Sequence, residues 1–326
     1  MALVDGFGRE HTYLRVSVTD RCNFRCVYCL PAEGMDWMPR DELLSYEEIA
    51  RLVGVFASMG IRRIRLTGGE PLIRRDLERL VEELGAIEGL DDIALTTNAH
   101  RLSGCAERLA KAGLTRLNVS LDALDPVLFK EITRGGDLAR VLDGIDAAIE
   151  HGLTPVKINA VLLDGLNHEQ LFPMVEYFSE RAEHVVLRFI EYMPFEARWH
   201  RSLRGAVLRE QLGERYTLTP HGERLGDGPA VHWKIKESGL RVGFISPLSE
   251  KFCSTCNRLR LSADGHLRTC LSDDGTPSLR EGLRAGASDA DLDAAIRAMV
   301  RGKREGHEAL MEGGQPFEGV MTRIGG

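Results

Sequence analysis

Six short apolar runs, at 13–18, 63–67, 93–97, 116–121, 155–162 and 184–190, each end in small polar or acidic residues. Amphipathic stretches lie between them at 45–59, 75–84, 105–112, 138–150 and 168–181. Strand–helix alternation of this kind demands crossover connections and therefore a parallel sheet. In the 138–150 stretch Leu138, Val141, Leu142, Ile145 and Ile149 keep a helical stripe. Ser45 followed by Glu48 reads as a capping box at a helix start. The polar residues directly after the runs are Thr19 and Asp20, then Gly68, Gly69 and Glu70, then Thr96, Thr97 and Asn98, then Ser120 to Asp122, then Glu191 to Met193. In a β/α barrel those strand ends converge on one face, where chemistry is done. Six units are two short of closure, so the expected fold class is α/β, an incomplete (β/α)6 TIM-like barrel with a lateral opening. A doubly wound open sheet is the alternative.

The second expectation concerns thiols. Cys22, Cys26 and Cys29 stand in Cys-Asn-Phe-Arg-Cys-Val-Tyr-Cys. Three thiolates at this spacing suit a 4Fe–4S cube with one iron left without a protein ligand, which is a place for chemistry. Structural zinc wants four ligands, and no His or fourth Cys follows nearby. A second trio, Cys253, Cys256 and Cys270, has the spacing CxxC–x13–C. Three cysteines again suggest a cube with one open iron, and a three-thiolate zinc site completed by His266 or water stays open on spacing alone. Cys105, the seventh cysteine, reads as a small buried helix residue.

Between the later cysteines lies Asn257-Arg258-Leu259-Arg260. If the segment is extended, both guanidiniums project from one face and suit a phosphate or polyphosphate. Arg15, Arg65 and Lys157 sit on expected strands, where alternate side chains point into a barrel lumen. Cations there imply an anionic ligand.

A net charge of −7 and 43% hydrophobic residues give no global basic field, so a nucleic-acid binder is not expected. The N-terminus lacks signal-peptide blocks and no apolar run suffices to span a bilayer, so a cytoplasmic enzyme with no membrane partner is expected.

The string from Ser17 to Cys29, followed by Leu66-Thr-Gly-Gly-Glu-Pro, resembles the radical S-adenosylmethionine (SAM) superfamily. With the second cysteine trio and the terminal Gly325-Gly326, the chain resembles the GTP 3′,8-cyclase family of molybdenum-cofactor biosynthesis along nearly its whole length. The resemblance implies conversion of GTP to (8S)-3′,8-cyclo-7,8-dihydroguanosine 5′-triphosphate, with two 4Fe–4S clusters and SAM as cofactors. It implies that Cys22, Cys26 and Cys29 ligate the SAM cluster, and Cys253, Cys256 and Cys270 the auxiliary cluster. Tyr28, Gly69, Ser120 and Met193 would contact SAM. Arg15, Arg65, Thr96, Lys157, Arg258, Leu259 and Arg260 would bind GTP. Implied partners are a reductant protein such as flavodoxin or ferredoxin and the next pathway enzyme, cyclic pyranopterin monophosphate synthase, with a homodimer left open.

The expected division is 1–205 for the partial barrel and 206–326 for a C-terminal α+β region carrying the second cluster, lying across the barrel mouth. The diglycine tail is expected to reach the active site. Ala99 stands where the family more often has Gly, and is mildly strained if that position needs a positive φ. Two other readings compete: a radical SAM peptide maturase with an auxiliary cluster, and a non-enzymatic zinc or iron–sulfur regulator of nucleic acid.

Overall fold

The computed structural model describes residues 2–193, 202–222, 228–271, 273, 277–306 and 322. Its strands are β1 (Tyr13–Ser17), β2 (Arg63–Thr67), β3 (Asp92–Thr97), β4 (Arg116–Ser120), β5 (Val156–Val161), β6 (Val185–Ile190), β7 (Leu218–Pro220), β8 (Val231–Ile235), β9 (Arg241–Ile245), β10 (Arg258–Leu261) and β11 (Leu267–Arg268). They form one open sheet in the order β11-β10-β1-β2-β3-β4-β5-β6-β9-β8-β7. The six expected strands are its parallel centre. β1 and β6 do not pair, so the barrel is partial and the expected lateral opening is present.

The C-terminal strands are placed differently from expectation. β10 adds in parallel to β1, and β9 adds in parallel to β6. The second half of the chain therefore continues both edges of the sheet. The reason is backbone chemistry: two unpaired edge strands are two rows of unsatisfied amides and carbonyls.

The helices are α1 (Tyr46–Ser58), α2 (Leu77–Gly85), α3 (Ala106–Lys111), α4 (Pro126–Thr133), α5 (Leu138–Glu150), α6 (Leu171–Ser179), α7 (Gly205–Gly213), α8 (Leu279–Arg284) and α9 (Asp289–Arg301). The capping box before α1 is formed: Glu48 N donates to Ser45 Oγ (3.1 Å) and Ser45 N to Glu48 Oε2 (2.8 Å). Of the α5 stripe, Leu138, Val141 and Ile145 are buried, while Leu142 and Ile149 are half-buried. The expected 168–181 helix is a 3₁₀ turn at His168–Gln170 running into α6.

Helix α4 was not expected. Its signal is short, an Asp125 cap with Pro126 at the first turn, rather than a long stripe. Cys105 is half-buried at the N-cap of α3, not inside a helix.

Ala99 carries φ 59°, in the left-handed region, so the position does call for glycine. A Cβ there is opposed by local sterics of about 1–2 kcal/mol, offset in part by the freedom glycine loses on folding. Ala99→Gly should raise stability by about 0.5–1 kcal/mol, read as an apparent Tm increase of about 1–3 °C. A lower Tm would show that the Ala99 methyl, which is fully buried, packs better than this balance allows.

Candidate active site

The barrel lumen is a cavity of about 430 Å³, within the size range of small-molecule sites. It is lined by both cysteine trios. β1 runs at its C-terminal end into the loop of Cys22, Cys26 and Cys29. Cys253 and Cys256 instead precede β10, and Cys270 follows the antiparallel β11. The two trios therefore stand at opposite ends of the same strands, with the lumen between them.

All seven cysteines are free of disulfides. Burial, with Cys29, Asp122 and Cys22 nearby, pushes the Cys26 thiol well up, and burial takes Cys22 to about 11. Such thiols stay protonated until a cation meets them, which fits an iron cluster. Among the described residues no three Cys, His, Asp or Glu side chains converge as ligands of one ion would. A multi-iron cube spaces its thiolates more widely than a single ion does. Cys256 goes the other way: burial pushes it up, but Arg258 and Lys303 outweigh that and bring it to about 7.

Beside the first trio, the glycine turn lies directly on the chain that follows β1. Gly69 N donates to Thr19 O (2.7 Å) and Glu70 N to Arg21 O (2.8 Å). A Cβ on Gly69 would stand 2.2 Å from Arg21 O, and one on Gly68 2.4 Å from Thr19 O. Only glycine permits that approach, so the turn and the cysteine loop form one unit. Buried Glu70 accepts from Leu72 N (3.0 Å), Thr97 Oγ1 (2.7 Å) and Asn98 N (2.7 Å), while burial raises its pKa to about 7. Across the cavity Tyr28 donates its hydroxyl to Asp122 Oδ2 (2.5 Å), and Asp122 Oδ1 accepts from Val161 N (2.8 Å). That chain of bonds ties the cysteine loop to the ends of β4 and β5. These residues fit SAM beside a cluster.

The middle of the lumen is cationic. Sheet register sets Arg260, Arg15 and Arg65 side by side on β10, β1 and β2. Arg65, Lys157, Arg188 and Arg260 are all buried. Burial, then Arg260, lowers Arg15 to about 9; burial, then Arg65, lowers Arg188 to about 9; burial, then Arg258, lowers Arg260 to about 10. Burial, with Arg188, takes Lys157 to about 7. Tyr13 accepts from Arg65 Nε. Arg15 Nε, Arg65 Nη1, Arg260 Nε and Thr96 Oγ1 are buried without a hydrogen-bond partner among the described residues. Asp92 lines the wall but is held by Arg116 and Thr115. Buried cations of this number call for an anion.

The expected site residues divide clearly. Arg15, Tyr28, Arg65, Gly69, Thr96, Ser120, Lys157, Met193, Arg258, Arg260 and the six cysteines of the two trios all line the cavity. Leu259 does not: its side chain is fully buried in the apolar core, as strand alternation requires between two inward arginines. Thr322 lines the cavity and its hydroxyl is 3.6 Å from Met35 Sδ. Gly325 and Gly326 lie outside the described residues. Sequence reasoning missed Arg188 and His232 as lining residues. Alternation along β6 marks Arg188, whereas β8 had no expected strand.

At the second trio two cations hold the backbone. Arg9 donates to Cys253 O (2.8 Å), Arg304 O (2.6 Å) and Glu305 O (2.6 Å). Lys303 Nζ donates to Arg258 O (2.9 Å) and lies 3.8 Å from Cys256 Sγ.

Residues 16–178 match the Radical SAM superfamily, and residues 185–309 match the family described as Molybdenum Cofactor Synthesis C. The GTP 3′,8-cyclase of Paracoccus denitrificans is 47% identical over 315 residues, covering 94% of this chain and 90% of that protein. The chain belongs to the GTP 3′,8-cyclase family. The mitochondrial GTP 3′,8-cyclase of Arabidopsis thaliana is 42% identical over 327 residues, covering 99% of this chain and 83% of that protein. The crystal structure of Streptococcus suis SuiB bound to S-adenosylmethionine aligns with TM-score 0.63 at 16% identity, covering 90% of this chain and 68% of that one. That likeness shows a shared fold alone. No helix among the described residues is long and apolar enough to cross a membrane.

Arg260→Ala should raise the Kd for GTP about ten- to hundredfold, the worth of charge-assisted hydrogen bonds, and leave guanosine binding nearly unchanged. Equal losses for both ligands would contradict a phosphate role. Lys157 sets a pH dependence. Its pKa sits near 7 in the free protein, well below its ordinary 10.5, and a neighbouring anion raises it, so binding takes up a proton above pH 7. The affinity for GTP should fall as pH rises from 7 towards 9, and Lys157→Met should flatten that slope.

Proposed function

We propose that this chain is a GTP 3′,8-cyclase that converts GTP to (8S)-3′,8-cyclo-7,8-dihydroguanosine 5′-triphosphate, the first step of molybdenum-cofactor biosynthesis. The observation that carries the proposal is a single lumen with a thiol trio at each end and a buried cation wall between. A nucleoside triphosphate has the matching polarity, an anionic chain joined to a base and a sugar.

The first trio would hold a 4Fe–4S cluster with SAM beside it, which when bound would supply the radical chemistry that removes the ribose hydrogen. The chain's own residues do the rest. Cys22, Cys26 and Cys29 would bind the SAM cluster, with Tyr28, Gly69, Ser120 and Met193 around SAM. Glycine backbone at the turn would meet the polar end of SAM at close range. Arg15, Arg65, Lys157, Arg258 and Arg260 would hold the triphosphate, with Thr96 beside them and Leu259 serving only through its backbone. Fixing the phosphates orients the ribose towards the first trio, which is the gain from proximity. Cys253, Cys256 and Cys270 would hold an auxiliary 4Fe–4S cluster with one open iron for the base.

We also propose the division at 205/206, cytoplasmic location, a flavodoxin- or ferredoxin-type reductant, and hand-off to cyclic pyranopterin monophosphate synthase. Seven cysteines without a disulfide support a reducing compartment. The peptide-maturase reading has no comparable support, because a peptide does not match so many buried cations.

The test uses anaerobically reconstituted protein, scored for 5′-deoxyadenosine and for cyclised nucleotide. The parent should bind about eight irons per chain, as two cubes require, and cleave SAM in step with GTP. Cys26→Ala should abolish SAM cleavage. Cys253→Ala should lose the cyclised product while keeping uncoupled SAM cleavage. If both variants perform like the parent, the cluster assignments are wrong.

A further inference from the structure

We propose that His232 is a further residue of the triphosphate site, its Nε2 meeting a phosphate oxygen beside Arg188. The inference rests on the cation wall being where GTP binds, and it extends that wall onto the C-terminal part of the sheet.

The register carries the argument. Asn159 on β5 faces Arg188 on β6, Arg188 faces Gly243 on β9, and Gly243 faces His232 on β8. These four positions form one row across the sheet, continuous with the lumen wall. Gly243 is the flat place in that row. A Cβ on it would stand 2.9 Å from His232 Cδ2, 3.1 Å from His232 Nε2 and 3.1 Å from Arg188 Cγ. The imidazole and the stem of Arg188 thus meet over the bare backbone of Gly243. Arg188 itself is aimed by its Nε donating to Asn159 Oδ1 (2.9 Å).

His232 is 9% exposed and lines the cavity. Its Nε2 is buried and has no hydrogen-bond partner among the described residues. A buried ring nitrogen without a partner is costly, and an arriving ligand atom removes the cost. The charged and titratable groups that face it are Arg188 from β6, Lys157 from β5, Arg241 from β9 and His221 beyond β7. Among the described residues none of these main influences is a carboxylate, so the complement they call for is negative.

Burial, then Arg188 and Lys157, holds the imidazole near 4, neutral in the free protein. A phosphate placed between His232 and Arg188 reverses the sign of the local field and favours the imidazolium. GTP binding therefore takes up a proton at His232 below pH 7. Lys157, mostly charged there, adds most of its own proton above that range.

The test is titration calorimetry on the reconstituted full-length enzyme near pH 6.5, in two buffers of different ionisation enthalpy. The probes are GTP, inorganic tripolyphosphate and guanosine. His232→Gln should weaken GTP and tripolyphosphate about tenfold, lose the proton uptake, and leave guanosine binding as in the parent. In parent protein with isotope-labelled histidine, one imidazole signal absent from the variant should move to its protonated position when tripolyphosphate is added. Parent-like binding and proton uptake in His232→Gln, or a labelled signal that does not move, overturns the proposal. Equal weakening of guanosine also overturns it, because it places the effect on the base or the fold. Arg260→Ala separates the two readings. If it leaves tripolyphosphate binding intact, the cation wall is not the phosphate site and both readings fall. If it weakens tripolyphosphate while His232→Gln does not, only the role of His232 is lost.

Discussion

Three arginines on adjacent strands, Arg260, Arg15 and Arg65, stand side by side at matched register on one flank of the parallel strands. Like charges directly across strands oppose pairing, and these are desolvated as well. The surrounding apolar core, with Leu14, Val16, Ile64, Leu66, Leu259 and Leu261 buried on the opposite alternation, holds the strands together regardless. The fold thus keeps an electrostatic deficit on its cavity wall that a polyanion would relieve. An anionic ligand suits the site better than a neutral one, which would leave the guanidiniums as poorly compensated as before.

The two thiol trios depend on the same strands for their separation. Since β10 lies parallel to β1, the loop leaving β1 and the segment entering β10 are at opposite ends of the lumen. A nucleotide lying along the strands therefore has one end near each trio and its phosphates against the wall. Few parts of this arrangement are set by loops alone. The glycine turn is welded to the cysteine loop by backbone bonds, and Tyr28 is tied through Asp122 to β5.

Much of this was legible in the sequence, for physical reasons. Motifs whose chemistry is local, such as the Cys22–Cys29 spacing or the Ser45 and Glu48 capping box, need no tertiary information. Inward cations on β1, β2 and β5 follow from alternation once the strands are known. The placement of β10 beside β1 and of β9 beside β6 was not legible, because such pairing depends on partners far away in sequence. His232 escaped for the same reason: its meaning comes from a row through Arg188 and Gly243, contributed by three strands. Helix α4 escaped because eight residues carry too little periodicity. Ala99 is the opposite case, a local departure whose left-handed backbone is borne out.

The sheet edges have a consequence for synthesis. Until residues beyond Arg241 emerge, the outer edges of β1 and β6 have no strand to pair with, and unpaired edges of 5 and 6 residues can recruit another chain. The finished molecule replaces them with β11 and β7, of 2 and 3 residues, which offer little to a foreign strand. The region that carries the second cysteine trio is therefore also what shields the nascent barrel from self-association. A chain truncated before it would fail first as an aggregate and only second as a catalyst.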